Sequence, residues 1–267
     1  RMAADAARAY TSVSQVRGVR RLARAIGSQG IHRMRAQALA RRPEREGFGP
    51  AGGDMIHVAG LSTLALVSAG LTIWAQATHR QRVGHVCKPL GTLSLLVLAL
   101  RAPDALPLAL RCGVVAGLGL SLAGDVFLML PPRYFVAGMA SFLAAHVAYG
   151  AGFRTSMSAW PPGLLYVPFA LYGLAVFGLL LPGLRSLRWP VLGYVLTIVT
   201  MAWLAAGWWL EIGRPHTARA MAGALLFLLS DTALAVNRFR RPFSWSPVAV
   251  LSTYYAAQWL LALSAYP

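Results

Sequence analysis

Acidic side chains are nearly absent from most of this chain. It has eight Asp and Glu against 25 Lys and Arg in 267 residues. Four of those acids fall in the first 54 residues, leaving Asp104, Asp125, Glu211 and Asp231 for the remainder of the chain. Lysine is rarer still. Lys88 stands alone and every other base is Arg, a usage expected of a GC-rich, bacterial genome. The two cysteines, Cys87 and Cys112, make no CxxC and no even framework, which argues against a disulfide scaffold and a thiolate metal site. Histidine does not cluster either. His146 alone lies well inside an apolar run, while His57, His79, His85 and His216 sit at run ends or in loops. A zinc-dependent hydrolase needs several converging His, so neither a metal nor another cofactor is expected.

Charged residues of any sign make up only 12% of the chain, and 57% is hydrophobic. That composition excludes an ordinary soluble domain and describes a polytopic membrane protein. The net charge of +17 resembles that of a nucleic-acid binder, but the positions say otherwise. Eleven of the 25 bases precede residue 46, and the others lie mostly in short loops between apolar runs. Such loop arginines set orientation and meet lipid phosphates, so membrane lipids are the expected partners and nucleic acid is not. Residues 1–54, with RGVRRLARAIGSQGIHRMRAQALARR, read as an Arg-rich tail that is disordered or non-native, since Met55 directly precedes the first hydrophobic run. The competing reading is a basic amphipathic segment or transit peptide.

Eight apolar runs come after Met55, over 56–77, 87–100, 107–130, 134–152, 162–181, 189–210, 217–236 and 246–265. Most have the ~20 residues that cross ~30 Å of hydrocarbon. The expected fold is an all-α membrane protein, an eight-transmembrane-helix bundle over 55–267, with sequential helices antiparallel because the loops are short. Asp125 and Asp231 lie 106 residues apart, and the same offset carries Lys88 to Tyr194 and Tyr149 to Tyr255. Two parallel four-helix repeats would produce that offset. One face collects Arg80, Arg82, Lys88, Arg133, Arg185, Arg188, Arg238, Arg240 and Arg241; the other has Arg101, Arg111, Arg154, Arg214 and Arg219. The excess on the first face places it in the cytoplasm of a bacterial plasma membrane, with the short loops weighted above the tail.

Asp125 in SLAGDVFLML and Asp231 in ALLFLLSDTALAV are acids at membrane depth. An ionised Asp there costs roughly 2.5–3.5 kcal/mol on insertion scales, so each marks a candidate functional site. The alternative is plain glue, an Asp bonded to a hydroxyl on a neighbouring helix. Both acids stand six residues before the same end of parallel helices, about 9 Å below one surface. Lys88, Tyr194, Tyr254 and Tyr255 enter from that surface, with His146 and Gln258 somewhat deeper. Gly138, Phe142, His146 and Tyr149 share one helical stripe, as do Tyr254, Tyr255 and Gln258. The two carboxylates are therefore expected to face one cavity near Arg133, Arg185 and Arg238. Trp203, Trp208 and Trp209 read as interface anchors.

These residues, in this order, resemble the YhhN-like integral membrane proteins, whose characterised members are lysoplasmalogenases. The resemblance rests on Lys88-Pro89, Gly124-Asp125, the string Gly138, Phe142, Ala145-His146 and Tyr149, then Tyr194, then Ala224, Phe227 and Ser230-Asp231, and finally Tyr254-Tyr255 and Gln258. It covers about 55–267. It implies hydrolysis of the vinyl ether of lysoplasmalogens to a fatty aldehyde and glycerophospho-ethanolamine or -choline, with Asp125 and Asp231 as catalytic acids. Lys88, His146, Tyr149, Tyr194, Ser230, Tyr254, Tyr255 and Gln258 would surround the lysophospholipid, Lys88 and the loop arginines holding its phosphate. A vinyl ether resists nucleophiles but is protonated at its β-carbon, and the cation then takes water. That needs one neutral acid and one nearby carboxylate, which two buried Asp can supply because close like charges resist both ionising. The sequence leaves open which Asp is which, and also the oligomeric state. A proton-coupled lipid or small-molecule transporter would also carry an Asp pair inside its bundle.

Overall fold

The computed structural model describes residues 52–267, with side chains from Met55 onward. The tail expected over 1–54 lies outside the described residues, apart from the three that open the first helix. The described residues form eight α-helices: α1 Gly52–Ala77, α2 Gln81–Leu100, α3 Leu108–Met129, α4 Phe135–Thr155, α5 Gly163–Leu180, α6 Arg188–Ile212, α7 Pro215–Phe239 and α8 Ser246–Leu263. Short 3-10 turns join α3 to α4 and α5 to α6. The hydropathy runs match these helices to within four residues at either end, with one larger difference. α2 starts at Gln81, six residues before the run at 87, because its first turns are too polar for hydropathy to register. Gly213 ends α6 in the left-handed conformation, with φ +63 and its N–H on the Trp209 carbonyl at 2.8 Å.

Seven of the helices are long and apolar enough to cross a membrane. The described residues are all-helical, and the chain is an integral membrane protein. The helix that falls short is α8, with 18 residues and a length of about 27 Å. It nonetheless extends along the bundle to the far ends of its neighbours. Just beyond its C-terminus the Tyr266 hydroxyl donates to the Leu98 carbonyl at 2.9 Å, near the end of α2. Arg219, near the start of α7, donates to the carbonyls of Leu263 and Tyr266 at 3.3 and 3.1 Å.

The side chains that make α8 polar also make it central. The Trp259 indole donates to Ser62 of α1 at 3.0 Å, and the Tyr255 hydroxyl to the Lys88 carbonyl of α2 at 3.0 Å. The Tyr254 hydroxyl donates to Asp125 of α3 at 2.6 Å. Gln258 accepts from Tyr149 of α4 at 2.7 Å, and the Val250 carbonyl accepts from Ser230 of α7 at 2.9 Å. Polar groups facing lipid would go unsatisfied. Here partners on neighbouring helices take these groups, while Ser252 and Thr253 bond back to carbonyls of α8 itself.

Small residues set the closest approach, between α3 and α4. A Cβ on Gly113 would fall 2.7 Å from the Cα of Gly152. One turn on, a Cβ on Gly117 would run into the Tyr149 ring, and one on Gly124 would come within 2.6 Å of Phe142. The glycines of α3 thus seat the aromatic stripe of α4 beside Asp125. At the periphery, α5 exposes Leu164, Leu171 and Leu174 where lipid would lie.

One expectation needs correcting. Trp208 is no interface anchor. It is 2% exposed and stacks on Phe153 with ring centroids 5.7 Å apart. The helical stripe that carries it turns inward, a rotation that hydropathy alone does not reveal.

The glycine seats predict a contrast between two neighbours. Gly117→Ala should cost about 1–3 kcal/mol through overlap with Tyr149. Gly119→Ala, with no atom within 4 Å of the new Cβ, should stay within about 1 kcal/mol of wild type. Unfolding of both variants in the same detergent checks this.

Candidate functional site

On α2, Lys88 and Thr92 are one turn apart and so share a face. That face meets Asp125 of α3. The Lys88 ammonium lies 3.0 Å from Oδ1 of Asp125. The other oxygen, Oδ2, accepts from the Thr92 hydroxyl at 2.7 Å and the Tyr254 hydroxyl at 2.6 Å. The Asp125 side chain is 1% exposed. Each of these partners is a donor and one is a cation, the environment of an ionised carboxylate.

Asp231 of α7 stands in different surroundings. Its Oδ2 accepts from the Tyr194 hydroxyl of α6 at 2.5 Å. The His146 Nε2 lies 3.7 Å from the same oxygen, beyond hydrogen-bond reach. Among the described residues no Lys or Arg forms an ion pair with it. Its side chain is 15% exposed.

Aromatic rings fill the space between the two acids. His146 packs edge-on against Phe227 at 4.6 Å and Tyr194 at 5.4 Å. Phe227 reaches Tyr254 at 5.7 Å, and Phe142 packs on both of them. His146 is fully buried, and neither ring nitrogen has a hydrogen-bond partner.

Two pockets open beside this cluster. An apolar groove of about 710 Å³, counting its open mouth, runs among α4, α5, α6 and α7 and has Asp231 and Tyr194 in its wall. A more polar vestibule of about 970 Å³, counted in the same way, is lined by Gln76, Lys88, Asn237 and Arg238. The two share Leu128, Phe135, Leu234 and Arg238, so they are contiguous. The expectation that the two carboxylates face one cavity is met only in part. Asp231 lines the groove, whereas Asp125 lines neither pocket. Phe142, seated on Gly124, stands between Asp125 and the groove, and Lys88 stands between Asp125 and the vestibule.

Of the residues expected around a substrate, Lys88 and Tyr194 reach a pocket. His146, Tyr149, Ser230, Tyr254, Tyr255 and Gln258 are buried behind them. All of these except His146 carry the interhelical hydrogen bonds described above. Sequence reasoning missed Thr92, whose spacing of four from Lys88 was a usable signal. It also missed the Tyr172–Thr232 hydroxyl contact at 2.9 Å, which ties α5 to the residue after Asp231. No pattern in the sequence singles out Tyr172. Among the described residues no three His, Cys, Asp or Glu side chains converge as metal ligands would.

The profile of the YhhN family matches residues 83–265. The chain is 37% identical over 192 residues to human lysoplasmalogenase TMEM86A, covering 67% of this chain and 75% of the relative. It is 36% identical over 206 residues to pig lysoplasmalogenase TMEM86B, covering 72% and 79%. It is 29% identical over 186 residues to the uncharacterized membrane protein YhhN of Escherichia coli O157:H7, covering 68% and 86%. No solved structure matches the chain significantly.

The buried ion pair generates a double-mutant prediction. Lys88→Met leaves the Asp125 charge uncompensated and should destabilise the protein by about 3–5 kcal/mol. Adding Asp125→Asn removes that charge and should recover part of the loss. Unfolding of the single and double variants in detergent measures the coupling.

Proposed function

The chain belongs to the YhhN family of membrane proteins, and on that premise we propose that it is an intramembrane hydrolase that cleaves the vinyl ether of lysoplasmalogens. The observation that carries the reading is the adjoining pair of pockets, one apolar with Asp231 in its wall and one more polar with Lys88, the partner of Asp125, in its wall. An alkenyl chain fits the groove. The glycerophosphate fits the vestibule at Lys88 and Arg238. The vinyl ether then falls at the junction, beside Asp231.

The same geometry supports a different role for each acid. Asp125, held by a cation and two hydroxyls, is the ionised partner. Asp231, with no ion-paired cation and a face on the groove, is the proton carrier. Its proton goes to the β-carbon of the vinyl ether, and the double-bond electrons form the new C–H bond. The ether oxygen shares its lone pair with the α-carbon, giving an oxocarbenium ion. The Asp231 carboxylate, now negative, takes a proton from water entering through the vestibule, and that water adds to the α-carbon. The hemiacetal proton passes to the glycerol oxygen as the C–O bond breaks, releasing the fatty aldehyde and a chain-free glycerophosphodiester, with Asp231 again protonated. The fixed negative charge of Asp125 lowers the energy of the passing cation. Tyr194 orients the Asp231 carboxyl through its hydroxyl, and His146 packs against the Tyr194 ring.

We read α8 as an eighth crossing, with the face of Arg133, Arg185 and Arg238 in the cytoplasm of a bacterial plasma membrane. We also read residues 55–267 as the whole catalytic unit, in which the matched 106-residue offset would reflect two parallel four-helix repeats.

Asp231→Asn and Asp125→Asn should each lower turnover at least 10²-fold, since an amide neither protonates carbon nor balances a cation. Aldehyde release by monodisperse, purified variants is the measurement. Substantial activity in either variant removes that residue from the mechanism. Turnover in detergent, without any gradient, also separates a hydrolase from a proton-coupled transporter.

Carbon protonation leaves an isotopic record. Hydrolysis in heavy water should place one deuterium on the α-carbon of the aldehyde, and a saturated alkyl ether of equal length should bind without reacting. Mass spectrometry of the aldehyde, corrected for exchange after release, decides it. Unlabelled product, or cleavage of the saturated ether, excludes this chemistry.

A further inference from the structure

The two pockets meet at a wall of four side chains, Leu128, Phe135, Leu234 and Arg238, which line both of them. The four are not held alike. Leu128 of α3 is seated against α4, where a Cβ on Gly138 would fall 2.8 Å from its Cδ2. Phe135 is the first residue of α4, directly after the 3-10 turn Pro132–Tyr134, and Arg238 lies in the last turn of α7. The Phe135 ring packs edge-on against Phe239, with centroids 5.9 Å apart. The Arg238 guanidinium lies over that ring, 4.9 Å from its centroid. Arg238 is itself exposed.

A guanidinium on an aromatic ring is weakly held at an exposed site. A phosphate offers the same guanidinium two parallel, charge-assisted hydrogen bonds, which are stronger and match its planar fork. Ring and phosphate therefore compete for one cation, and the phosphate wins. The wall also stands where the proposed substrate must cross. With the vinyl ether beside Asp231 in the groove and the phosphate in the vestibule, the glycerol carbons pass between side chains common to both pockets. Displacing Arg238 takes a contact away from Phe135, at a helix terminus, where local opening is easiest.

Resting on the hydrolase reading, we propose that Phe135 and Arg238 are specificity-determining residues, a latch between groove and vestibule that the substrate's own phosphate releases. Arg238 swings from the Phe135 ring to the phosphate, and the ring gives way to the glycerol. Binding energy from a part of the lipid remote from the reacting bond then opens the path to that bond. Loss of the phosphate therefore lowers kcat as well as raising KM. A phosphate that merely anchored the lipid would act on KM alone.

The test separates the phosphate from the rest of the substrate. Purified full-length chain in neutral dodecylmaltoside micelles is given 1-alkenylglycerol, which has the vinyl ether but no phosphate. Inorganic phosphite is added or withheld, with ionic strength held constant by chloride. Phosphite should raise kcat for alkenylglycerol at least about fivefold, the lower end of coupling between sites. Phe135→Ala removes the latch. That variant should turn over alkenylglycerol with a higher kcat than the wild-type chain and should no longer respond to phosphite. A gain of activity is an outcome that no misfolded protein can give. Arg238→Gln should lose the phosphite response as well. A response kept by either variant overturns the latch.

A second arm measures equilibrium binding of 1-alkylglycerol, the saturated ether, by titration calorimetry. Phosphite should tighten its binding to the wild-type chain. Phe135→Ala should bind it more tightly from the outset, with no further effect of phosphite. If an alkenyl lysophospholipid turns over but phosphite changes neither alkenylglycerol turnover nor alkylglycerol binding, the latch fails and the hydrolase reading stands. If no alkenyl lysophospholipid turns over but phosphite still tightens alkylglycerol binding, and does so only with Phe135 and Arg238 in place, the hydrolase reading fails and the latch stands. Equal binding of alkylglycerol by the wild-type chain and Phe135→Ala overturns the latch.

Discussion

The Lys88–Asp125 ion pair is the constraint around which the bundle is arranged. A lone charge at this depth would be costly, and two opposite charges remain tolerable only with close geometry and with the remaining lone pairs filled. Each condition draws in another helix. α2 brings the ammonium and, one turn later, the Thr92 hydroxyl. α8 brings Tyr254. Tyr255, beside it, bonds the Lys88 carbonyl and so fixes α2 against α8 at the level of the pair. α4 enters because Gly124, next to Asp125, leaves room for the Phe142 ring, which shields the carboxylate from the apolar groove. Burial of one acid thereby sets the relative heights of α2, α3, α4 and α8.

The second acid shows how strongly environment separates two identical side chains. Asp125 and Asp231 lie toward the same end of their helices, though not at the equal depth that the sequence suggested: Asp125 stands four residues before Met129 and Asp231 eight before Phe239. One has a cation and two hydroxyls, and the other has a single tyrosine and a histidine that does not reach it. In the low dielectric of a membrane protein, a full positive charge on one carboxyl and not the other is the largest electrostatic difference the site contains. Two roles in one reaction, proton donor and fixed counter-charge, need this asymmetry. A symmetric pair sharing one cavity would leave them undefined.

The fixed part of the site and the part that admits substrate are built differently. The ion pair, the His146–Phe227–Tyr254 cluster and the Tyr149–Gln258 bond are cross-linked among five helices. The groove is walled on one side by α5, which exposes much of its surface where lipid would lie and has a hydroxyl contact to α7 at Tyr172–Thr232. A lipid substrate approaching from the bilayer would meet the lightly held wall, and the acids would keep their positions while that wall yields.

The sequence by itself determined the helices, because hydropathy and Pro/Gly punctuation are local: seven of the spans needed little beyond run length. It also brought two acids and a set of tyrosines toward one end of the bundle, where Tyr254 meets Asp125 and Tyr194 meets Asp231, since depth along a helix is arithmetic on residue number. The start of α2 escaped because its first turns are polar, and Trp208 escaped because hydropathy does not report which way a helix is rotated. Only the tertiary structure decided which group each polar atom faces. Lys88 could have held phosphate unaided, and the sequence allowed it. Packing of α2 on α3 placed it on Asp125 instead. The two acids looked equivalent along the chain because distance from a helix end ignores azimuth, and azimuth put one in the groove and the other behind Phe142. Pair formation between helices 30 or more residues apart depends on rotation and close approach, set by glycines and ring shapes acting together, and no local pattern encodes that sum.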